Sequence, residues 1–182
     1  MRTLVIHPKD STTHFLDIVY RNIEDMTLIT GGCTKEYIKK QIKEHDRVMM
    51  MGHGSPGGLF SVGQFNDGGG YIIDESMVDL LKEKDNSVFI WCNADRFVER
   101  YDLKGFYTGM FISEVGEAMY CGLPETVQEE VDDSNYQFVE ILGECIDSDP
   151  RTMHFITKTR YGQLIDHNPV AKYNHERLYI NQ

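Results

Sequence analysis

A chain of 182 residues, 41% hydrophobic and 26% charged, has the composition of an ordinary globular protein, long enough to build a core without staples. Its formal charge of −11 argues against nucleic acid or an anionic membrane surface as the main partner, since both need clustered Lys and Arg. No apolar run approaches the roughly 20 residues of a membrane span, Leu4-Val5-Ile6 is too short for a signal peptide, and the scattered Cys33, Cys92, Cys121 and Cys145 form no CxxC pair, which argues against a disulfide scaffold or zinc ribbon and for a reducing, cytoplasmic setting.

In chain order, Leu4-Val5-Ile6 predicts a short buried strand, followed by turn chemistry at Pro8-Lys9-Asp10-Ser11. Phe15, Leu16, Val19 and Ile23 recur at helical spacing behind Ser11, Thr12 and Thr13 as caps. Met26 to Thr30 predicts a second strand, closed by Gly31-Gly32. Thr34 caps an expected helix that turns Tyr37, Ile38 and Ile42 inward and leaves Lys35, Lys39, Lys40 and Lys43 in water. Val48 to Met51 is a third apolar run and ends in Gly52-His53-Gly54-Ser55.

Leu59 to Val62 reads as a small hairpin arm, and Gln64 to Gly70 as a Gly-rich loop whose Asp67-Gly68-Gly69-Gly70 lacks the Lys-Ser/Thr end of a P-loop. Asp74 caps a helix carrying Met77, Val78 and Leu81; Val88 to Trp91 is a fourth run, ending at Cys92-Asn93-Ala94-Asp95. Beyond it, Phe106 to Phe111 reads as a fifth strand or an extended loop, and Ile112 to Leu123 as a helix weakened by Gly116. The five carboxylates of the 124–133 segment place it on the surface. Tyr136, Val139, Leu142, Cys145 and Ile146 mark an amphipathic helix, and residues 177–180 an edge strand. The segment 150–168 reads neither way. Alternation of strand and helix predicts an α/β protein, a single domain over 1–182, with a mostly parallel sheet.

In such a sheet ligands bind beyond the carboxyl ends of the strands. His53 follows the third strand and Cys92 the fourth. Consecutive βαβ strands usually lie side by side, about 5 Å apart. A thiol and an imidazole would then meet over one sheet edge, as a Cys–His nucleophile pair requires. The Gly54 and Cys92 N–H groups would complete an oxyanion hole. His7 also ends a strand at this edge, where a turn or cap role is open to it. The histidines show no HxxxH or HxxE ligand spacing, so no metal is expected.

The two blocks, Val48-Met49-Met50-Met51-Gly52-His53-Gly54-Ser55 and Val88-Phe89-Ile90-Trp91-Cys92-Asn93, resemble the catalytic blocks of the caspase-like cysteine peptidases, a group that includes caspases, metacaspases, legumain and gingipains. The stretch Gly52 to Phe60 is similar to the legumain His block. The resemblance implies a three-layer fold: a six-stranded sheet, parallel except for an antiparallel edge strand, with helices on both faces. It implies a thiol protease that needs no cofactor and acts on a peptide or protein, with Cys92 as nucleophile, His53 as general acid/base, and Gly54 and Cys92 as oxyanion donors. Asn93-Ala94-Asp95 departs from the small residue and Gly that often follow the family's Cys.

Glu114 and Glu117 lie where the returning chain would line a specificity pocket favouring Lys or Arg; they also fit a solvated i, i+3 helix face. Two further readings stay open: a catalytically silent caspase-like binding or regulatory module, and a phosphate-binding domain using Gly52 to Gly58 at a helix N-terminus.

Overall fold

The structure, a computed structural model, describes residues 1–67 and 69–182; part of the Gly-rich loop expected at 64–70 therefore lies outside the described residues. Among the described residues nine strands occur in chain order: β1 (Thr3–Ile6), β2 (Met26–Ile29), β3 (Arg47–Met51), β4 (Gly54–Ser55), β5 (Gly58–Phe60), β6 (Tyr71–Ile73), β7 (Ser87–Ile90), β8 (Gly105–Thr108) and β9 (Leu178–Asn181). The helices are α1 (Asp17–Tyr20), α2 (Lys35–Glu44), α3 (Val78–Leu81), α4 (Ala94–Tyr101), α5 (Val115–Tyr120), α6 (Gln128–Cys145), α7 (Pro150–Tyr161) and α8 (Pro169–His175).

Six strands form the main sheet in the order β2-β1-β3-β7-β8-β9. All neighbours are parallel except β8 and β9. The central strands read as continuous apolar runs because both of their faces are covered. Successive side chains of β3 divide between two cores. Val48 and Met50 pack on one side with Ile38, Ile42, Leu81 and Phe97, which come from α2, α3 and α4. Met49 and Met51 pack on the other with Val19, Phe138, Leu142 and Met153, which come from α1, α6 and α7. At the opposite end of the sheet from the candidate site, the fully buried Arg47 guanidinium donates to Thr3 Oγ1 (3.0 and 3.2 Å), to the Ile146 carbonyl and to Asp147 (2.9 Å), tying α6 to β1 and β3.

Several caps fall where expected. Thr34 accepts from the Tyr37 N–H ahead of α2, and Asp74 from the Ser76 N–H ahead of a 3₁₀ turn leading into α3. The helix expected behind Ser11 contracts to a 3₁₀ turn at His14–Leu16 and the single turn α1. The arm after β3 is a separate three-stranded antiparallel sheet, β4-β5-β6. Gly52 to Gly58 therefore feed a hairpin and not a helix N-terminus, which removes the geometric basis of the phosphate-binding reading.

Candidate functional site

β3 and β7 are adjacent and parallel, with Met51 facing Ile90 in register. His53 and Cys92 each lie two residues past that pair, so chain direction and register bring both to one rim. Gly52 makes the exit from β3 with φ of +139°, and its N–H donates to the Ile90 carbonyl at 3.0 Å, tying the two exits together. After β7 the chain turns at Asn93, held in the left-handed region with φ of +65°, and enters α4. His53 and Cys92 line one cleft of about 310 Å³, counting its open mouth, with apolar walls from Phe15, Leu16, Trp91 and Phe111.

A turn after β1, the strand on the other side of β3, holds the imidazole. Asp10 Oδ1 accepts from the Thr12 N–H (2.8 Å) and from the Thr12 hydroxyl (2.6 Å). These two donors hold the Asp10 carboxyl below the usual carboxylate range. Thr12 has thus given away its one hydroxyl proton, so its contact with His53 Nε2 at 2.6 Å assigns the proton to Nε2. His53 Nδ1 keeps a lone pair with no partner among the described residues. Asp10 itself lies 3.8 Å from Nε2. A base oriented by a third group is the arrangement that nucleophile activation needs.

The loop is fixed in turn by His7. It is 4% exposed, contacts Tyr20 Oη at 3.0 Å through Nδ1 and Thr13 Oγ1 at 3.1 Å through Nε2, while the Tyr20 hydroxyl donates to Asp17 at 2.5 Å. Burial lowers the His7 pKa, against the opposing pull of Asp17. His7 is an anchor of the loop that carries Thr12, a structural role among those its position left open.

Cys92 is in a different state from the one a ready nucleophile needs. Its thiol points to the Phe111 carbonyl (Sγ to O, 3.4 Å) and to Glu117 Oε1 (3.7 Å); among the described residues no hydrogen bond joins it to His53. Burial, reinforced by the Glu117 charge, pushes the thiol up to about 12.

Glu117 is therefore not a free wall of a specificity pocket. Its Oε2 accepts from the Ser113 N–H (2.7 Å), the Ser113 hydroxyl (3.1 Å) and the Glu114 N–H (3.2 Å), which fixes the start of α5, and its other oxygen faces the thiol. Glu114, whose N–H makes the last of these bonds, lines a neighbouring groove. Neither carboxylate belongs to a simple solvated stripe.

Gly54 lies beside the cleft at the start of β4. A Cβ there would meet Trp91 Cδ1 at 2.2 Å and the Gly58 carbonyl at 2.6 Å. The indole, whose Nε1–H donates to the Ser55 carbonyl at 3.1 Å, is thus the packing reason for a glycine at this position. The Phe60 N–H donates to the His53 carbonyl at 2.8 Å, so the antiparallel alternation turns the Gly54 N–H away from its partner Leu59.

Sequence reasoning missed Asp10, Thr12 and the thiol contact of Glu117. For the first two a signal existed: the turn Pro8 to Ser11 follows a strand that shares the His53 edge. Among the described residues no group of three His, Cys, Asp or Glu is arranged to hold a metal, and no helix is long and apolar enough to cross a membrane. No protein-family model, curated protein or solved structure matches the chain.

Proposed function

We propose that the protein is a cysteine peptidase of caspase-like type, with Cys92 as nucleophile and His53 as the base. One observation supports the reading above all: the in-register pair Met51 and Ile90 brings His53 and Cys92, 39 positions apart in the chain, to the wall of one cleft. Asp10 and Thr12 support it, since they orient the ring and leave Nδ1 as the proton acceptor.

The reaction follows from these atoms. The Cys92 thiol gives its proton to His53 Nδ1, and Sγ bonds to the carbonyl carbon of the peptide. The Gly54 and Cys92 N–H groups face the oxygen that becomes negative. Collapse breaks the C–N bond, and the imidazolium returns the proton to the departing amine. Water then attacks the thioester with His53 as base, releasing the acid and restoring the thiol. Asp10, 3.8 Å from Nε2, stabilises the imidazolium in both steps. Substrate must draw the thiol off the Phe111 carbonyl and Glu117 before the first step, so the described arrangement is a resting one.

A fluorogenic peptide library tests the proposal, with Cys92→Ala and His53→Ala as controls. Turnover by the native chain and its loss in both variants is the expected result. A second reading draws on the thiol's elevated pKa and its lack of a bond to His53: a caspase-like module that binds a partner without cleaving it. No turnover of any peptide, with biological activity intact in Cys92→Ala, would favour that reading and end the first.

A further inference from the structure

We infer that His7 is a pH sensor built into the candidate site: protonation of this buried ring reverses its hydrogen bond to Thr13 and loosens residues 10–14, the segment whose Thr12 holds His53. The inference concerns the loop and stands whether or not the cleft cleaves peptides.

The proton positions follow from the groups around the ring. The Tyr20 hydroxyl spends its one proton on Asp17 Oδ1, at 2.5 Å. Tyr20 Oη, 3.0 Å from His7 Nδ1, and Asp17 Oδ1, 3.1 Å from it, are therefore both acceptors toward that nitrogen. Nδ1 carries the proton, and in the neutral ring Nε2 has only a lone pair. The Thr13 hydroxyl, 3.1 Å from Nε2, donates to it. A second proton on the ring goes to Nε2 and makes that nitrogen a donor. The Thr13 hydroxyl must then turn its own proton away, and Thr13 is buried. A buried donor that loses its acceptor is costly.

The charged groups around His7 do not remove this cost. Asp17 and Tyr20 come from α1, His14 from the 3₁₀ turn, and Lys9 and Asp10 from the turn after β1; all line one open groove with His7. Asp10 faces both His7 and His53, which follows the exit of β3. On the β2 side Leu28 and Thr30 bring no charge. Among the described residues only Asp17 lies within ion-pair distance of His7. Its other oxygen is taken by His14 Nδ1 at 2.9 Å, and a charge on His14 opposes one on His7. Burial outweighs Asp17 and holds the His7 pKa below the ordinary 6.5.

Two adjacent threonines carry the effect to the site. Thr13 is bonded to His7, and Thr12 meets His53 Nε2 at 2.6 Å. The Thr13 carbonyl also accepts from the Leu16 N–H at 3.0 Å, at the start of the 3₁₀ turn. The closed loop prefers the neutral ring, whereas a released ring titrates near the ordinary value. Below about pH 6.5 acid therefore favours release by up to about tenfold per pH unit, until the enclosed ring itself charges.

Hydrogen exchange by mass spectrometry tests this on the native chain between about pH 7.5 and about pH 5, corrected for the intrinsic pH dependence of exchange. Protection of peptides spanning 10–17 should fall roughly three- to tenfold in acid, while α6 keeps its protection. The fall should begin below about pH 6.5 and level off once the His7 ring, followed by NMR in the same chain, has charged. His7→Gln, whose amide does not titrate, should abolish the fall. His14→Gln, at an exposed position, should keep most of it. Loop protection that stays constant in acid, or that changes out of step with the charging of His7, overturns the inference. So does a fall that persists in folded H7Q, is lost in H14Q, or is shared by α6. Should H7Q not fold, the NMR titration and the exchange of the native chain decide between these outcomes.

Discussion

At Cys92, two effects oppose what a nucleophile needs. Burial is the larger effect and the Glu117 charge the second, and together they keep the sulfur protonated at neutral pH. Glu117→Gln removes the charge and keeps the shape, so the thiol pKa should fall. Each unit of fall raises the thiolate fraction about tenfold below the pKa. Iodoacetamide labelling of Cys92, read by peptide mapping, should therefore be slow in the native chain and several-fold faster in E117Q. Labelling equally slow in both would show that burial alone sets the thiol. Alkaline stability carries the same information with a defined sign. Between the unfolded thiol's pKa near 9 and the folded value of about 12, the folded chain holds a proton that the unfolded chain has lost, so stability falls as pH rises through that window. Cys92→Ser should flatten this decline in urea midpoints compared at about pH 8 and about pH 10.

The residue scale also separates what could be read from the sequence from what could not. His53 and Cys92 were legible because each directly follows an apolar strand. Thr12 had only an indirect signal, the turn that follows β1, because its role depends on β1 lying next to β3 and on that turn folding back across the edge. Its loss should matter through His53 alone. Thr12→Val keeps the volume and removes the oxygen, so kcat should fall by roughly ten- to a hundredfold, the cost of a misplaced catalytic group. KM should change little and Thr12→Ser should restore the rate. An unaltered kcat would remove Thr12 from the mechanism.

Among the elements, the parallel strands were readable and the smaller antiparallel sheet was less so. β1, β3 and β7 are buried on both faces, and burial on both faces leaves an unbroken apolar run. β6 is only three residues long, too short for any period to register. α4 is only eight residues long and starts directly after the Cys92 turn, so the helical spacing of Ala94, Phe97 and Val98 merges in the sequence with the end of the strand before it. The start of α7 had a clear signal in Asp149-Pro150, with the Asp149 carboxylate accepting from the Arg151 and Thr152 N–H groups. The hairpin β4-β5 meets the main sheet through the Gly54 and Trp91 contact, and a methyl there must displace either the indole or the Gly58 backbone. Gly54→Ala should therefore destabilise the fold by about 1–3 kcal/mol, the range for overpacking. For a chain of this size that is roughly 2–4 °C in Tm per kcal/mol, read by calorimetry. A Tm unchanged from the native chain would mean that the hairpin moves freely relative to Trp91.

Over the whole molecule, the same sheet supplies the floor of two cores, and both border the strands that lead to His53 and Cys92. His53 and Cys92 leave strands that the two layers of helices clamp from opposite faces, while α5 and α6 bring Glu114, Glu117 and Asp132 to the rim. Loosening either layer should then be felt on the other side of the sheet. Trp91 is the single tryptophan and packs with Phe89 and Phe97 in the α2–α4 layer. Leu142, fully buried in α6, belongs to the opposite layer. Leu142→Ala deletes buried carbons and leaves a cavity, at a cost of about 2–5 kcal/mol. If the sheet couples the layers into one cooperative unit, Trp91 fluorescence and far-UV ellipticity must lose structure at the same urea concentration, shifted equally from the native midpoint. A fluorescence transition that stays at its native midpoint while ellipticity is lost earlier would mean that the α6–α7 layer unfolds by itself, and that the rim residues it carries are held less firmly than His53 and Cys92.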